Sequence, residues 1–515
     1  MAPANRLSGS HVHRIRKEDE KVDKQKIYQF IEDNSGRYLD ISHKVWEYAE
    51  LSLKEFKSAA LYGKALKEQG FVLEEKLGGI ATAFSGSYTQ GPAPGTAGAG
   101  PVIGILGEFD ALSGLSQQAG AVECMEPLDP GLAEAQGGSG HGCGHNMLGA
   151  GSFGAACAVK DFLEKTGTPG TVIFYGCPGE EGGASKAFLA REGVWKKLDA
   201  AITWHPDSMN EVTTGTSNSC TQVLYKFKGL AAHAAGNPHD GRSALDAVEI
   251  MNIGCNYLRE HMKKECSIHY AMIDGGGFSP NVVQPHASVL YMVRAVKVKD
   301  VKELQARVDK LAEGATLMTG TTYERIFVDG TANPLPNTAL EKVVFRNMKE
   351  APLPVYTAEE RGYAAKLRKT WEGREDFPGL GALADKNIAA EVKELTKNNT
   401  LDLNDFVYPF YSGEEFTPGS TDVGDVSWLT PTVQFHSVTW PAGSPGHSWQ
   451  NVSCGKTSIG DKGLLYAAKV LAGTAADLFT EPDLLKEAKA EFEERTKDEK
   501  YLCPIEDDAV PYVIG

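Results

Sequence analysis

Apolar runs of strand length alternate with helical patterns through the first part of the chain. Residues 101–110 form a nearly continuous apolar run that ends in two carboxylates, which is typical of a buried strand in a mainly parallel sheet. Residues 171–176 and 198–204 are similar runs, and the Ala- and Gly-rich residues 148–164 predict a packed helix. Apolar positions at helical spacing predict two or three further helices between residues 26 and 69. This order indicates an α/β domain with a mainly parallel central sheet.

A second pattern predicts a separate, smaller domain. Residues 222–228 alternate between apolar and polar side chains, and the predicted elements then follow in the order strand, helix, strand, strand, helix, strand. We expect a small α+β domain of ferredoxin-like type at residues 215–332, inserted into the larger domain. The larger domain would then consist of residues 26–214 and 333–515, and the charged segment 1–25 is predicted to be disordered.

Polar side chains follow each of the three buried runs at the point where the run ends. Ligands of open α/β sheets gather at the carboxyl ends of the strands, so we expect these side chains to lie at one edge. Taken alone, the polar residues after any one of these runs are explained more simply as a solvated turn or a structural histidine. Three such groups after three successive strands rarely arise by chance. They supply Asp110, then Glu180 and Glu181, and then His205.

A glycine-rich stretch, residues 138–146, lies between the first two endings and carries a thiol and two imidazoles. Cys143 and His145 are separated by one residue, so that in an extended loop both can reach one centre. Thiolate and imidazole together suit a borderline-soft divalent metal. The alternative is a glycine-rich turn with a buried cysteine and a surface histidine.

These residue types fit the hydrolysis of an amide, which at neutral pH needs an activated water and an electrophile for the carbonyl oxygen. Two divalent ions about 3.5–4 Å apart provide both, given a bridging ligand, flanking ligands and a general base. A coordinated thiol loses its proton and can bridge, and Glu180 is left as the base. The candidate ligands are Cys143, His145, Glu181, His205 and, in a later segment framed by Gly and Pro, His447.

Charge and cysteine usage narrow the class of partners and the compartment. The 515 residues carry a formal net charge of −16, which argues against nucleic acid or an anionic membrane as a partner. Nine cysteines show no paired spacing, and no apolar stretch reaches the length of about 18 residues that a membrane helix needs. We therefore expect a reduced, soluble and cytoplasmic protein.

The motifs around these residues resemble those of the metallo-amidohydrolases of the aminoacylase/carboxypeptidase group, peptidase family M20. Within that family the similarity is greatest to the p-aminobenzoyl-glutamate hydrolases of B-subunit type, and it extends from about residue 26 to about residue 505. Asn146 stands where many members of the wider family have Asp. The motifs are Cys143-Gly-His145-Asn146, Cys177-Pro-Gly-Glu180-Glu181, Thr203-Trp-His205-Pro206, Gly229-Leu-Ala-Ala-His233, Ser279-Pro-Asn281, Ser420-Thr-Asp422 and Gly446-His447-Ser448.

The resemblance implies a zinc-exopeptidase-like domain with two divalent metal ions, Mn or Zn, and a lid that also forms a dimer. It assigns the five candidate ligands to the metals, and Glu180 to the base that takes a proton from the bridging water and returns it to the leaving amine. It also implies that Asp110 orients a ligand, that His233 stabilises the oxyanion in the partner subunit's site, and that Asn281 contacts substrate. Arg294, near the end of a lid strand, is a candidate for binding a substrate carboxylate, with a surface arginine as the alternative.

We expect a metal-dependent amidohydrolase that cleaves an N-acyl amino acid, with p-aminobenzoyl-glutamate as first candidate substrate and a homodimer as the assembly. A dipeptidase or an aromatic acyl-amino-acid amidase of the same family is the alternative within this class. A non-catalytic, metal-binding regulatory subunit is the alternative outside it, and a related A subunit is a further candidate partner. Because Glu180 and every proposed ligand position are filled, the sequence favours the enzyme.

Overall fold

The computed structural model describes residues 23–125, 138–371, 386–397, 400–413 and 416–513. Residues 1–22 of the segment predicted to be disordered lie outside this part of the chain. The predicted boundary at residue 25 is wrong, because the first helix already begins at Lys24. The ammonium of this lysine is buried and donates to Asn347 and Asp477, which are far away along the sequence.

The elements are numbered in chain order. The strands are β1 (Val72–Glu75), β2 (Phe84–Gln90), β3 (Val102–Glu108), β4 (Gly170–Cys177), β5 (Ala200–Asp207), β6 (Glu211–Val212), β7 (Ser219–Lys228), β8 (Ser267–Asp274), β9 (His286–Ala295), β10 (Thr322–Thr331) and β11 (Thr432–Val438). The helices are α1 (Lys24–Asp33), α2 (Ser35–Tyr48), α3 (Phe56–Glu68), α4 (His145–Thr166), α5 (Ser185–Arg191), α6 (Ala244–Leu258), α7 (Val298–Thr319), α8 (Thr338–Glu350), α9 (Ala358–Arg368), α10 (Lys386–Leu395), α11 (Val423–Ser427), α12 (Trp449–Cys454), α13 (Ser458–Thr480) and α14 (Pro482–Arg495).

The larger sheet has the strand order β1-β2-β4-β3-β5-β11-β6. Its inner strands β4, β3, β5 and β11 pair in parallel, whereas β1, β2 and β6 pair antiparallel with their neighbours. Strands β3 and β4 are buried along their whole length, as expected for strands covered on both faces. The predicted α/β class is confirmed, and the parallel arrangement is restricted to the centre of the sheet.

The smaller sheet is antiparallel, with the strand order β10-β7-β9-β8. Helices α6 and α7 connect its strands and pack on it, so the order of elements along the chain is the one predicted. The sheet extends from Ser219 to Thr331. None of the helices in the described residues has the length and apolarity needed to cross a membrane.

Helix α4 lies at the centre of the larger domain, against β3 and between α2 and α13. Its glycines allow this close packing. A Cβ on Gly149 would lie 2.6 Å from the backbone oxygen of Glu108 and 2.6 Å from the phenol oxygen of Tyr62. Packing of this density fixes the start of α4 relative to the end of β3, and both carry residues of the candidate site.

Candidate metal centre

Three inner strands bring polar side chains to one edge of the larger sheet. β3 is followed by Asp110, β4 by Glu180 and Glu181, and His205 lies near the end of β5. Parallel neighbours place their carboxyl ends side by side, so the sequence pattern leads to this cluster. The segment before α4 adds Cys143, and α4 itself adds its first residue, His145.

The turn between Cys143 and His145 differs from the extended loop that the sequence indicated. His145 is the first residue of α4, which begins earlier than the predicted start at residue 148. Gly144 adopts a left-handed backbone with φ of 75°, and a Cβ there would lie 2.8 Å from Pro206. Only glycine fits this position, and the turn that it makes lets both neighbouring side chains face one centre.

Two groups of potential metal ligands share the thiol of Cys143. The ligand atoms of each group all lie within 4.8 Å of one another. One group adds His145 and His205, and the Nε2 atom of His205 is 3.4 Å from the sulfur. The other adds Glu181 and His447, whose Oε1 and Nε2 atoms are 3.5 Å apart. A thiol shared by two such groups is what a sulfur-bridged pair of metal ions requires.

The donor atoms themselves fit metal ions. The Nε2 atom of His145 and the Oε1 atom of Glu181 are buried and make no hydrogen bond among the described residues. Each faces an ionisable group, Oε2 of Glu108 at 3.3 Å and Nε2 of His447 at 3.5 Å respectively. An unpaired buried polar atom costs about 1–3 kcal/mol, and coordination to a cation removes that cost. Thiolate, imidazole and carboxylate form a donor set that suits zinc and also allows manganese.

Asp110 holds two of the candidate ligands in place. Its Oδ1 atom is 2.9 Å from Nδ1 of His145, and its Oδ2 atom accepts from the backbone N–H of Glu181 at 2.9 Å and from Ser52 at 2.8 Å. Burial alone would raise the pKa of Asp110, but the hydrogen bond and charge of His145 lower it to about 2. With Nδ1 occupied in this way, Nε2 of the imidazole is left for coordination.

Glu108 belongs to the cluster, although the sequence shows it without a distinct role. A third group of potential ligands consists of Glu108, His145 and Glu180. Burial, together with the nearby carboxyls of Glu108 and Glu181, raises the pKa of Glu180 well above its usual range. A carboxyl group of this kind has the proton affinity that a general base needs.

A buried lysine forms an ion pair with the carboxylate of Glu108. The Nζ atom of Lys186 lies 2.7 Å from Oε1 of Glu108 and 2.5 Å from Oδ1 of Asp422, and all three side chains are buried. The Ser420-Thr421-Asp422 motif pointed to this region of the chain. The lysine, by contrast, lies in an ordinary helical pattern that gave no sign of a buried ammonium.

His447 lies at the open side of the centre. Its side chain is 56% exposed, whereas that of Glu181 is 8% exposed. Its backbone is left-handed with φ of 50°, a conformation that strains a residue with a Cβ and that is frequent at functional sites. This side of the cluster is therefore where a substrate can approach.

Three predicted site residues lie on the smaller domain, outside the ligand groups. His233 forms a backbone bridge with Val282, next to Asn281, so these two candidates are neighbours. The Nδ1 atom of His233 accepts from the N–H of Gly236 at 3.0 Å, which leaves the imidazole proton on Nε2. Arg294 is half-buried in β9, and its Nε atom is buried with no hydrogen-bond partner among the described residues. A simple surface arginine does not describe this position.

Comparison with known proteins finds a matching family profile and a relative of similar length. The profile, described as the M20 peptidase dimerisation domain, matches residues 214–317 and covers most of the smaller domain. The B subunit of the p-aminobenzoyl-glutamate hydrolase of Escherichia coli strain K12 is 43% identical over 497 residues, which are 95% of this chain and 99% of that protein.

More distant similarity extends to a dipeptidase and to a solved structure. The Xaa-Arg dipeptidase of Homo sapiens is 26% identical over 413 residues, covering 78% of this chain and 76% of that protein. A solved structure described as an aminohydrolase of methicillin-resistant Staphylococcus aureus has a TM-score of 0.55 at 16% identity. It covers 89% of this chain and 100% of the solved chain, and at that identity it shows the fold alone.

Proposed function

This chain belongs to the M20 family of metal-dependent hydrolases, and we propose that it cleaves the amide bond of an N-acyl amino acid, with p-aminobenzoyl-glutamate as substrate. The identity to the B subunit of the Escherichia coli p-aminobenzoyl-glutamate hydrolase, over nearly the whole of both chains, supports this substrate. The observation that carries the chemistry is the thiol of Cys143 shared by two ligand groups. The products would be p-aminobenzoate and glutamate.

Two bound divalent ions would polarise the amide carbonyl and make the attacking water more acidic. Glu180 accepts the proton of that water on its carboxylate and later donates it to the nitrogen of the leaving amine. Glu108, held by Lys186, keeps a negative charge near Glu180 and so increases its proton affinity. Asp110 fixes the orientation of His145 through Nδ1.

The same residues favour an enzyme over a non-catalytic, metal-binding protein. A structural metal site needs ligands only, whereas here Glu180 lies within one group with Glu108 and His145 and has a raised pKa. A carboxyl group with a raised pKa at this place suits proton transfer, which a structural metal site does not need.

We propose two metal ions per chain, with zinc and manganese as the candidates. The thiolate of Cys143 favours zinc, because manganese prefers oxygen ligands. The resemblance to the p-aminobenzoyl-glutamate hydrolases favours manganese. Both ions therefore belong in the assay.

We propose a homodimer formed by the smaller domain. The matching family profile is a dimerisation domain. Strand β8 is paired on one side with β9, and it exposes apolar side chains, as does α6. In the dimer, the Nε2–H group of His233 would donate to the carbonyl oxygen in the partner subunit's site. The exposed apolar side chains of this surface are Tyr270, Met272, Ile273, Ile253 and Tyr257. A related A subunit is the other candidate partner for the same surface.

A cytoplasmic location is also proposed. All nine cysteines are free thiols in the structure, and six of them are buried. Free thiols in this number are typical of proteins in a reducing compartment.

The test is hydrolysis of p-aminobenzoyl-glutamate by the purified protein supplied with Mn or Zn. Chromatography should show p-aminobenzoate and glutamate released in equal amounts. Faster hydrolysis of a dipeptide with a C-terminal arginine would replace the substrate by that of the dipeptidase alternative. Bound metal without hydrolysis of any N-acyl amino acid would contradict the proposal.

A further inference from the structure

A cavity of about 550 Å³ lies beside the candidate metal centre. Strands β6 and β11 form part of its wall, together with the segments 213–217 and 334–337 that connect the two sheets. Residues 408–411 and 416–421 contribute further wall. A volume of this size is in the range of sites that bind small organic molecules.

One side chain in the wall of the cavity lies next to a candidate metal ligand. His436 lines the cavity, and its ring centroid lies 6.1 Å from that of His205, with an angle of 78° between the rings. The two histidines are direct neighbours across the parallel pair of β5 and β11. Asp207, which follows His205 on β5, also lines the cavity. The cavity therefore lies one side chain away from a candidate metal ligand.

The wall of the cavity is acidic. Asp207, Glu211 and Glu341 contribute carboxylates, and neither Lys nor Arg occurs among the described residues that line it. The Oε1 atom of Glu211 is 3.1 Å from Nδ1 of His436, and the glutamate side chain is still 22% exposed. The imidazole of His436 offsets one of the three carboxylates at most, so the wall stays acidic. An acidic wall repels a carboxylate and attracts a nitrogen hydrogen-bond donor.

Aromatic side chains form much of the remaining wall. The rings of Phe345 and Phe410 lie 5.2 Å apart, and Tyr408, Tyr411 and Phe416 also line the cavity. The phenol oxygen of Tyr408 is buried with no hydrogen-bond partner among the described residues. Aromatic faces beside carboxylates suit a flat or cationic group that carries nitrogen.

We infer that this cavity is a specificity pocket that takes a nitrogen-bearing, hydrogen-bond-donating part of the substrate and rejects a carboxylate. The inference rests on the proposed amide hydrolysis and specifies the chemistry of one end of the substrate. The carboxylates of a glutamate product would then bind outside this cavity.

Two parts of a substrate have this chemistry. An aryl amine, as in a p-aminobenzoyl group, is a neutral donor on the acyl side of the amide. A guanidinium or ammonium side chain is a cationic donor on the amino-acid side. The aromatic walls accept the first by stacking and the second by cation–π contact, so the test needs a probe of each kind.

The experiment is calorimetric titration of the metal-loaded protein with four small probes: 4-aminobenzamide, benzamide, 4-carboxybenzamide and argininamide. We expect 4-aminobenzamide to bind about tenfold more tightly than benzamide, as one hydrogen bond to a charged acceptor allows, and 4-carboxybenzamide to bind most weakly. A preference for argininamide over all benzamides would assign the pocket to a basic side chain. Equal binding of the amino and carboxy probes would overturn the inference.

A variant locates the binding in the cavity. Glu211→Gln keeps the size of the side chain and removes its charge, so the preference for the amine over benzamide should fall by about tenfold. Glu359→Gln, at an exposed position outside the cavity wall, is the matched control and should leave all affinities unchanged. An unchanged preference in a folded Glu211→Gln protein would place the probe elsewhere.

The probes separate the pocket from the reaction. They contain no N-acyl amino acid, so their binding does not depend on turnover. Selective amine binding without hydrolysis would support the pocket and contradict the proposed reaction. Hydrolysis of p-aminobenzoyl-glutamate with no selectivity among the probes would support the reaction and contradict the pocket.

Discussion

Glu180 lies among other carboxyl groups, and its raised pKa suits a general base. It lies in a group with Glu108 and His145, and burial among carboxyls raises its pKa. Glu180→Gln removes the proton acceptor and keeps the shape, so we expect bound metal to remain and kcat to fall by about 10²–10⁴-fold. Elemental analysis and the hydrolysis assay on one sample measure both quantities. Near-normal turnover would exclude this residue as the base.

Single residues of the site were predictable where chemistry and position coincide. Cys143 lies in a glycine-rich stretch, and Glu181 comes shortly after the end of a strand. The structure brings both residues into one group of potential ligands. The partners behind them were harder to recognise. Glu108 is visible at a strand end, but its contact with Lys186 depends on a helix that folds back from later in the chain. No local pattern distinguishes such a lysine from one on the surface.

At the scale of elements, the contact between α4 and β3 sets the geometry of the centre, because His145 opens the helix and Glu108 ends the strand. A Cβ on Gly149 would meet the backbone oxygen of Glu108 at 2.6 Å, and backbone cannot yield as a side chain can. We expect Gly149→Ala to lower the free energy of unfolding by about 1–3 kcal/mol and to weaken metal binding. Thermal unfolding and metal titration measure the two effects.

The control for this variant is Gly362→Ala in α9. A Cβ at Gly362 meets no atom within 4 Å, and the residue is exposed. Alanine has the higher helix propensity, so stability should stay constant or rise by up to about 1 kcal/mol. Equal behaviour of the two variants would show that the contact between α4 and β3 does not position the site.

Helix α9 shows what the sequence pattern could and could not reveal between residues 351 and 415. Its start is marked by a capping box, in which Thr357 and Glu360 bond each other's backbone N–H groups, and this signal can be read from sequence. Its position depends on Tyr363, which bonds Ser453 at 2.8 Å, and on Arg368, which contacts Asp402 at 3.1 Å. Contacts between such distant segments have no local signature.

At the scale of the whole molecule, Asp425 links the end of the smaller sheet to the C-terminal segment. It accepts from the N–H of Ala332 at 3.0 Å and from Tyr501 at 2.7 Å, and burial raises its pKa to about 8. The folded state therefore holds the proton more tightly than the unfolded state, where the pKa is about 4. This contribution to stability is lost as the pH rises from about 4 through about 8.

Asp425→Asn tests this pH dependence. The amide cannot ionise, and its oxygen can still accept from the N–H of Ala332. Towards Tyr501 its NH2 group donates and the phenol oxygen accepts, which reverses the direction of the wild-type hydrogen bond. We expect Tm of the variant relative to the wild type to increase between pH 5 and pH 9. A difference in Tm that stays constant over this range would contradict a raised pKa at Asp425.

The proposed dimer makes a prediction about mixed subunits. His233→Ala should leave the metal content unchanged and reduce kcat by about 10²-fold or more, the usual effect of losing an oxyanion donor. If His233 acts in the partner subunit's site, a mixture of His233→Ala and Glu180→Gln subunits contains sites with both groups intact. Such a mixture should recover part of the activity after subunit exchange. No recovery in a verified mixed dimer would count against shared sites.

The division into a larger α/β domain and a smaller α+β domain followed from hydrophobic periodicity, because each domain has its own order of elements. The cavity did not follow from it. Its wall collects segments from residue 207 to residue 436, and the sequence says nothing of their distances before the chain is folded. The arrangement of the segments between the two domains is therefore the least predictable part of the molecule.

The most direct test of the account is the number of metal ions bound per chain, measured by elemental analysis after reconstitution with Zn or Mn. Because two ligand groups meet at Cys143, we expect about two ions in the wild type, and fewer, with hydrolysis lost, in Cys143→Ala. A wild-type protein that binds no metal, or a Cys143→Ala protein that keeps two ions and full turnover, would contradict the account.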